Sequence, residues 1–276
     1  MPSHLSNPWN NAVSYVEMMF NHTMLASGTC FFWRNGAQIY LISNWHNFAG
    51  LDPSSGKPLS AHGGIPNKLK FTALKQISDA DAAGYFAMKL TTVTVDLYEG
   101  EFAESRWKVH PTHGQLVDVG AIDVTSLVRD SGLSIRAAND VEDDAVLPPF
   151  ASQDVFILGF PLGLIVGSPA PVWKRGTIAS DPSFDIDDLP KLVVDTATRK
   201  GMSGSVVLAR HTVFGQSIPK KDGTMSEPYV WAKRDIVLGI YSGRIGSGEM
   251  DAQLGIVWRR SVIDQTVAGN TFYIVK

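Results

Sequence analysis

Short apolar runs rich in β-branched and aromatic residues, cut repeatedly by Gly, Pro, Asn and Asp, limit this chain more than any other feature. Residues 27–33, 38–43, 69–74, 85–90, 91–97, 116–124, 154–159, 171–179, 192–197, 206–209, 236–241 and 254–258 all read as strands. Arg34-Asn35-Gly36 between the first two is a strong short hairpin signal. Residues 212–235, with Pro219, Gly223 and Pro228, read as a loop insertion. So do residues 49–68. An acidic turn at Asp79-Ala80-Asp81 is expected to join two of the strands. Helical spacing is confined to the ends. Asn7-Pro8 is a cap followed by proline at the first helical position, and Trp9, Val13, Val16 and Phe20 recur behind it. Arg259 to Val267 reads as a short terminal helix that stops near Gly269.

The strands fall into two groups. Between them lies an acidic, proline-terminated stretch in which Asp140, Glu142, Asp143 and Asp144 precede Pro148-Pro149. The pattern predicts an all-β protein of two packed barrels or sandwiches. The divisions are a helical extension over 1–23, a first β unit over 24–135, a linker over 136–149 and a second β unit with the terminal helix over 150–276.

Composition excludes several classes. With 44% hydrophobic and 18% charged residues the chain is an ordinary folding sequence, so disorder is not expected. A formal net charge of −3 gives no footprint for nucleic acid. The single cysteine, Cys30, allows no intrachain disulfide and reads as a small buried hydrophobe. Met1 to Phe20 lacks the pattern of a secretory leader, and no apolar run approaches a membrane span. A cytoplasmic location with no membrane partner is the expectation. His110 and His113 flank Pro111 without further ligands at a useful spacing, so no metal and no cofactor are expected.

The chemistry centres on Lys200-Gly201-Met202-Ser203-Gly204-Ser205. Glycines on both sides let the turn adopt backbone conformations closed to other residues and leave its N–H groups free to meet a substrate oxygen. An exposed hydroxyl beside preorganised donors suits acyl transfer, although the same run also makes an ordinary turn. A nucleophilic serine needs a base and a group that orients the base. His46 lies just past the strand 38–43, in Asn44-Trp45-His46-Asn47, where it faces either a cleft or a surface loop. Asp118 opens the most apolar part of 116–124, where an unpaired carboxylate would be costly. Asp123 and Asp96 are its rivals.

Chain order separates the catalytic frameworks. Only His211 follows Ser203, a poor fit to the Ser-acid-His order of α/β-hydrolases, and Ser205 stands where their elbow wants glycine. Asp118 follows His46, which excludes the subtilisin order for this trio. His46, Asp118, Ser203 is the His-Asp-Ser order of the chymotrypsin barrels.

Five segments in succession carry a resemblance. Ser27-Gly28-Thr29, residues 41–46 (Leu-Ile-Ser-Asn-Trp-His), residues 118–122 (Asp-Val-Gly-Ala-Ile), Gly201-Met202-Ser203-Gly204-Ser205 and residues 239–243 (Gly-Ile-Tyr-Ser-Gly) resemble the core motifs of trypsin-like serine peptidases. The bacterial, disulfide-free branch that includes the high-temperature-requirement proteases is the most similar, and no PDZ module is expected after residue 268. The resemblance spans about residues 24–268 and implies two packed six-stranded Greek-key barrels of the chymotrypsin type. It implies Ser203 as nucleophile, His46 as base, Asp118 as orienting acid and the N–H groups of Gly201 and Ser203 as oxyanion hole. Ser242 and Gly243 would border an extended peptide substrate.

The resemblance has departures. Met202 replaces the aspartate that receives a cleaved N-terminus in digestive members, so activation of that kind is not expected. Gly120 and Ser205 are milder changes. Ala197, at the base of the specificity pocket, carries no carboxylate, so selection for Lys or Arg is not expected. Gly255 is expected to keep one wall open, and Arg244 to reach over the mouth. An uncharged base suggests small or medium apolar residues before the scissile bond, whereas Arg244, Arg199 and Lys200 suggest acidic ones. The expected function is a serine endopeptidase acting on polypeptides. The alternatives are a catalytically silent peptide-binding module, or a latent protease whose cleft opens with a regulatory protein partner.

Overall fold

The computed structural model describes residues 7–79, 87–100, 104–164, 170–228, 231–245 and 253–275. Pro8–Asn11 form a single 3-10 turn, in which the Asn7 side chain accepts the Trp9 N–H at 3.1 Å. The helix expected beyond it is not formed. Val13–Phe20 is a strand, β1. It lies between two neighbours, so that Val16 pairs with Gly28 on one side and Phe71 on the other. Val13, Val16, Met18 and Met19 are all buried. A strand covered on both faces loses its two-residue alternation, and the remaining apolar spacing imitates a helix.

β2 (Thr23–Asn35) and β3 (Gln38–Ser43) form the expected hairpin, with Gly36 at φ 58° in the turn. The helix α1 (Trp45–Ala49) follows directly. β4 (Lys68–Gln76) pairs along its length with β5 (Met88–Asp96), which merges two strands expected separately. The acidic turn at 79–81 lies largely outside the described residues. β6 (Tyr98–Glu99) and β7 (Glu104–Ser105) make a small ribbon. After β8 (Trp107–Val109) and β9 (Gly120–Asp123), the chain closes this unit with α2 (Thr125–Ser131) and β10 (Leu133–Ser134). The eight-stranded sheet runs β10-β4-β1-β2-β3-β9-β8, with β5 on β4.

The short helix α3 (Ala138–Val141) starts the linker. β11 (Asp154–Gly159), β12 (Val172–Ile178), β13 (Lys191–Asp195), β14 (Val206–Val213), β15 (Ala232–Arg244) and β16 (Leu254–Arg259) then close a six-stranded barrel, and α4 (Arg260–Ala268) follows. The insertion expected over 212–235 is shorter than its polar sequence suggests, because β14 and β15 stay paired out to Val213 and Ala232. Arg210 donates two hydrogen bonds of 2.7 Å to the Asp235 carboxylate there, so polar contacts extend a ladder that apolar patterning cannot reveal.

One apolar cluster joins the two units. Phe31, Ile42, Val117 and Val119 of the first pack with Leu158, Phe160, Val206 and Leu208 of the second. This seam holds the serine turn against β2 and β3. The linker is tied by a carboxylate. Glu142, its side chain fully buried, accepts from Lys221 Nζ at 2.6 Å, from Arg260, and from the Val237 N–H at 2.9 Å. Removing one member of a buried charged cluster leaves the others uncompensated. Glu142→Gln is therefore expected to lower stability by about 3 kcal/mol in urea denaturation. Glu17→Gln, which breaks only the more exposed pair with Lys70, should cost under about 1 kcal/mol.

Candidate active site

His46 sits in the five-residue helix α1, which Trp45, Phe48 and Ala49 anchor in the core. Its end is set by Gly50, at φ 67°, whose N–H returns to the His46 carbonyl at 2.9 Å. The start of this helix is capped from a distance. Asp118, just ahead of β9, accepts the His46 backbone N–H on Oδ1 at 2.9 Å and lies 2.8 Å from ring Nδ1 through Oδ2. One carboxylate thus fixes both the backbone and the ring plane. Ser242 Oγ donates to the same Oδ2, and Asn44 Nδ2 holds the Asp118 carbonyl at 2.8 Å. The rivals are elsewhere. Asp123 is exposed and engaged with Gln38 and Thr125, and Asp96 pairs with Lys68.

The two partners shift each other. Burial pulls the His46 pKa down, but Asp118, through charge and hydrogen bond, and the more distant Asp52 outweigh it, so the net direction is up. Burial pushes the Asp118 carboxyl up, yet His46 and the bonds from Ser242 and the His46 N–H hold it below the usual range. Asp52 stays ionised to about pH 2, because the Ser54 and Ser55 side chains and N–H groups all donate to it.

Ser203 lies across the seam. Its carbonyl accepts the Thr29 N–H at 2.9 Å, and the Gly204 N–H reaches the Tyr241 carbonyl at 3.0 Å. Gly204 sits at φ 86°, and a Cβ there would lie 2.0 Å from the Thr29 carbonyl, so no other residue fits. Ser203 Oγ donates to the Ser242 carbonyl at 3.0 Å rather than to His46. Ser203, Gly201 and His46 line one cleft. Among the described residues, the N–H groups of Gly201 and Ser203 donate to nothing.

What orients the first of these donors is a contact that sequence reasoning missed. The Lys200 carbonyl accepts the Leu162 N–H at 2.7 Å, and the Gly201 carbonyl accepts the Thr29 hydroxyl at 2.8 Å. A trans peptide points its C=O and N–H to opposite sides, so holding Lys200 O toward Leu162 turns the Gly201 N–H the other way. Leu162 adopts φ 56° to reach it, a left-handed conformation that costs a residue with a side chain about 1–2 kcal/mol. Thr29 Oγ1 also accepts the Phe160 N–H at 3.1 Å, which joins β2, the end of β11 and the serine turn at one hydroxyl. Met202 is buried in the apolar core of the second barrel with Leu192, Val194 and Tyr241, where an aspartate would be unpaired. The Ser-Gly-Thr motif drew attention to Thr29. Nothing in Phe160-Pro161-Leu162-Gly163 signals its role beyond a turn.

Of the other expected substrate-binding residues, Ser242 touches Ser203 through its carbonyl. Ala197 is half-buried, and β15 carries Ser242, Gly243 and the exposed Arg244. Gly255 pairs with Val194 and Arg244. It does not keep a wall open. The Tyr241 ring covers it so closely that a Cβ on Gly255 would lie 2.3 Å from Cε2. The Tyr241 hydroxyl is bonded to Thr198. Burial pushes the phenol pKa up, with Thr198 and Arg244 pulling against it. His110 uses both ring nitrogens within the protein, one against Gln265 and one accepting the Thr112 and His113 N–H groups. No three potential metal ligands gather among the described residues. No helix among them is long and apolar enough to cross a membrane.

A closed barrel packs on a second β-sheet, with His46 and Asp118 carried by the first unit and Ser203 by the second. No protein-family model matches the sequence, and no curated protein matches it. Solved structures to which the chain is similar include proteases. The active form of the Rv3671c protease from M. tuberculosis is 15% identical over all of this chain and 90% of its own, with a TM-score of 0.48. Its inactive form is 16% identical over 97% and 95%, with a TM-score of 0.45. The serine endoprotease from Yersinia pestis is 12% identical over 94% of this chain and 62% of its own, with a TM-score of 0.45.

Two outcomes follow from the geometry. An imidazole acts as a base only when neutral, and Asp118 raises the His46 pKa above that of an ordinary histidine, so kcat/KM should rise with pH through a half-point above the ordinary histidine range. Asp52→Asn removes a contribution that raises it, so the half-point should move down, as a pH–rate profile will show. Thr29→Val frees the Gly201 carbonyl. It should lower kcat about tenfold with KM little changed, less than the hundredfold or more typical of deleting an oxyanion donor itself.

Proposed function

We propose that this protein is a serine endopeptidase in which His46, Asp118 and Ser203 form the catalytic triad. The observation that carries the reading is the conjunction at one cleft of a carboxylate-oriented imidazole, a serine, and two backbone N–H groups with no partner among the described residues. Ser203 Oγ attacks the scissile carbonyl while His46 Nε2 takes its proton. The oxyanion accepts hydrogen bonds from the Gly201 and Ser203 N–H groups, which are already oriented and so cost little reorganisation. Collapse breaks the C–N bond, and the amine leaves with the proton from His46. Water then attacks the acyl-enzyme by the same route in reverse order of proton transfers. Asp118 stays ionised throughout and stabilises the imidazolium. The backbone of Ser242-Gly243-Arg244 pairs with the extended substrate by β-augmentation.

A second reading has one observation behind it. With Ser203 Oγ on the Ser242 carbonyl, the nucleophile is turned away from its base. A latent protease, opened by a substrate or a regulatory partner, would rest in this rotamer. Hydrolysis of a diverse peptide mixture, followed by mass spectrometry, separates the readings. Wild type is expected to cleave, Ser203→Ala to lose about six orders of magnitude in kcat, and Asp118→Asn about four. Covalent labelling of Ser203 without cleavage of any peptide would support latency. Cleavage retained in Ser203→Ala would refute the triad.

A further inference from the structure

We infer that the cleft selects its substrate on the leaving-group side, taking an apolar side chain the size of Leu or Met directly after the scissile bond and only a small residue before it. The inference rests on the serine-peptidase reading above. Direction comes first. The proton held by His46 must end on the leaving amine, so the chain after the scissile bond departs along the wall that holds His46. A cleft of about 280 Å³ opens there, with His46, Ser203 and Gly201 in its lining. Met18, Leu25, Leu59 and Pro66 supply apolar surface, with Lys200 at the edge. Ser242, Gly243 and Arg244, which would carry the segment before the bond, take no part in this lining.

The walls are set by close packing. A Cβ on Gly64 would lie 2.8 Å from Leu25 Cδ2, and one on Gly50 would lie 2.3 Å from Pro66 Cδ. The segment from Gly50 to Pro66 thus closes on itself where Pro66 meets Gly50 and packs through Gly64 against Leu25 of β2, forming one flank of the cleft. No carboxylate lines it. Transfer of an apolar side chain into such a cleft is favoured, whereas a basic one loses hydration without a partner and meets Lys200 as a like charge.

The side before the bond is closed. Tyr241 is 1% and Thr198 2% exposed, and the ring fills the space above Gly255 with its hydroxyl anchored to Thr198. Met202 and Val257 pack in the same cluster. The volume that would receive a large side chain before the scissile bond is occupied by the protein's own core. What remains accommodates a small residue, and discrimination passes to the open cleft beyond His46.

The test uses peptides with Ala before the bond and Leu, Met, Gly or Asp after it, and a second set with Phe in place of Ala. Active sites are counted with a fluorophosphonate probe. For wild type, kcat/KM for Ala–Leu should exceed that for Ala–Gly about tenfold, and Phe–Leu should fall at least tenfold below Ala–Leu. Leu59→Ser and Leu25→Ala should bring the Leu-to-Gly ratio toward one, and a ratio does not depend on the fraction folded. Equal cleavage of Ala–Leu and Ala–Gly by wild type, or a ratio unmoved in both variants, overturns the inference and leaves the serine-peptidase reading intact. Absence of both Ser203 labelling and cleavage removes that reading, and the inference with it.

Discussion

The buried carboxylate of Asp118 is the contact on which the site depends. It accepts the His46 N–H, the His46 ring and the Ser242 hydroxyl together. In doing so it caps α1 from the far side of β3, orients the imidazole, and links the first unit to β15 of the second. A carboxylate this buried would be costly alone. Paired on both oxygens, it is held ionised, and its charge raises the basicity of His46. The same arrangement that makes the burial tolerable supplies the chemistry.

The second constraint is the seam between the units. The serine turn is built from the second barrel, yet its shape is set largely by Thr29 of β2 and by Leu162 beyond β11. Met202 explains why. With an apolar residue committed to the barrel core, no internal ion pair can organise the turn, and hydrogen bonds to Lys200 O and Gly201 O take over that task. Tyr15 of β1 packs beside this support, its ring in edge contact with Phe160 at 6.0 Å and close to Gly163. The strand that stands where helical spacing was expected therefore buttresses the serine turn.

Much of this was legible in the sequence, for physical reasons. Half-buried strands announce themselves by alternation and turns by Gly, Pro and Asn-Gly, so both β units and the hairpin at Gly36 could be read directly. His46, Asp118 and Ser203 could be ordered because each stands next to an apolar strand. β1 was misread because burial on both faces erases the strand period. The length of β14 and β15 was underestimated because Arg210 and Asp235 extend the ladder with polar contacts. The covering of Gly255 was hidden because it depends on where the Tyr241 ring points, and sequence spacing does not encode a rotamer. Leu162 was invisible for a related reason: its contribution is a backbone N–H in a left-handed turn, which any residue type could supply.

The central claim is that Ser203 is a nucleophile activated by His46. The most direct measurement is the rate of phosphonylation by a fluorophosphonate, followed by intact mass and peptide mapping across pH. The account predicts one adduct, on Ser203, with a rate that falls as His46 is protonated and collapses in His46→Ala. No adduct on Ser203, or an adduct forming at the same rate in His46→Ala, would contradict it.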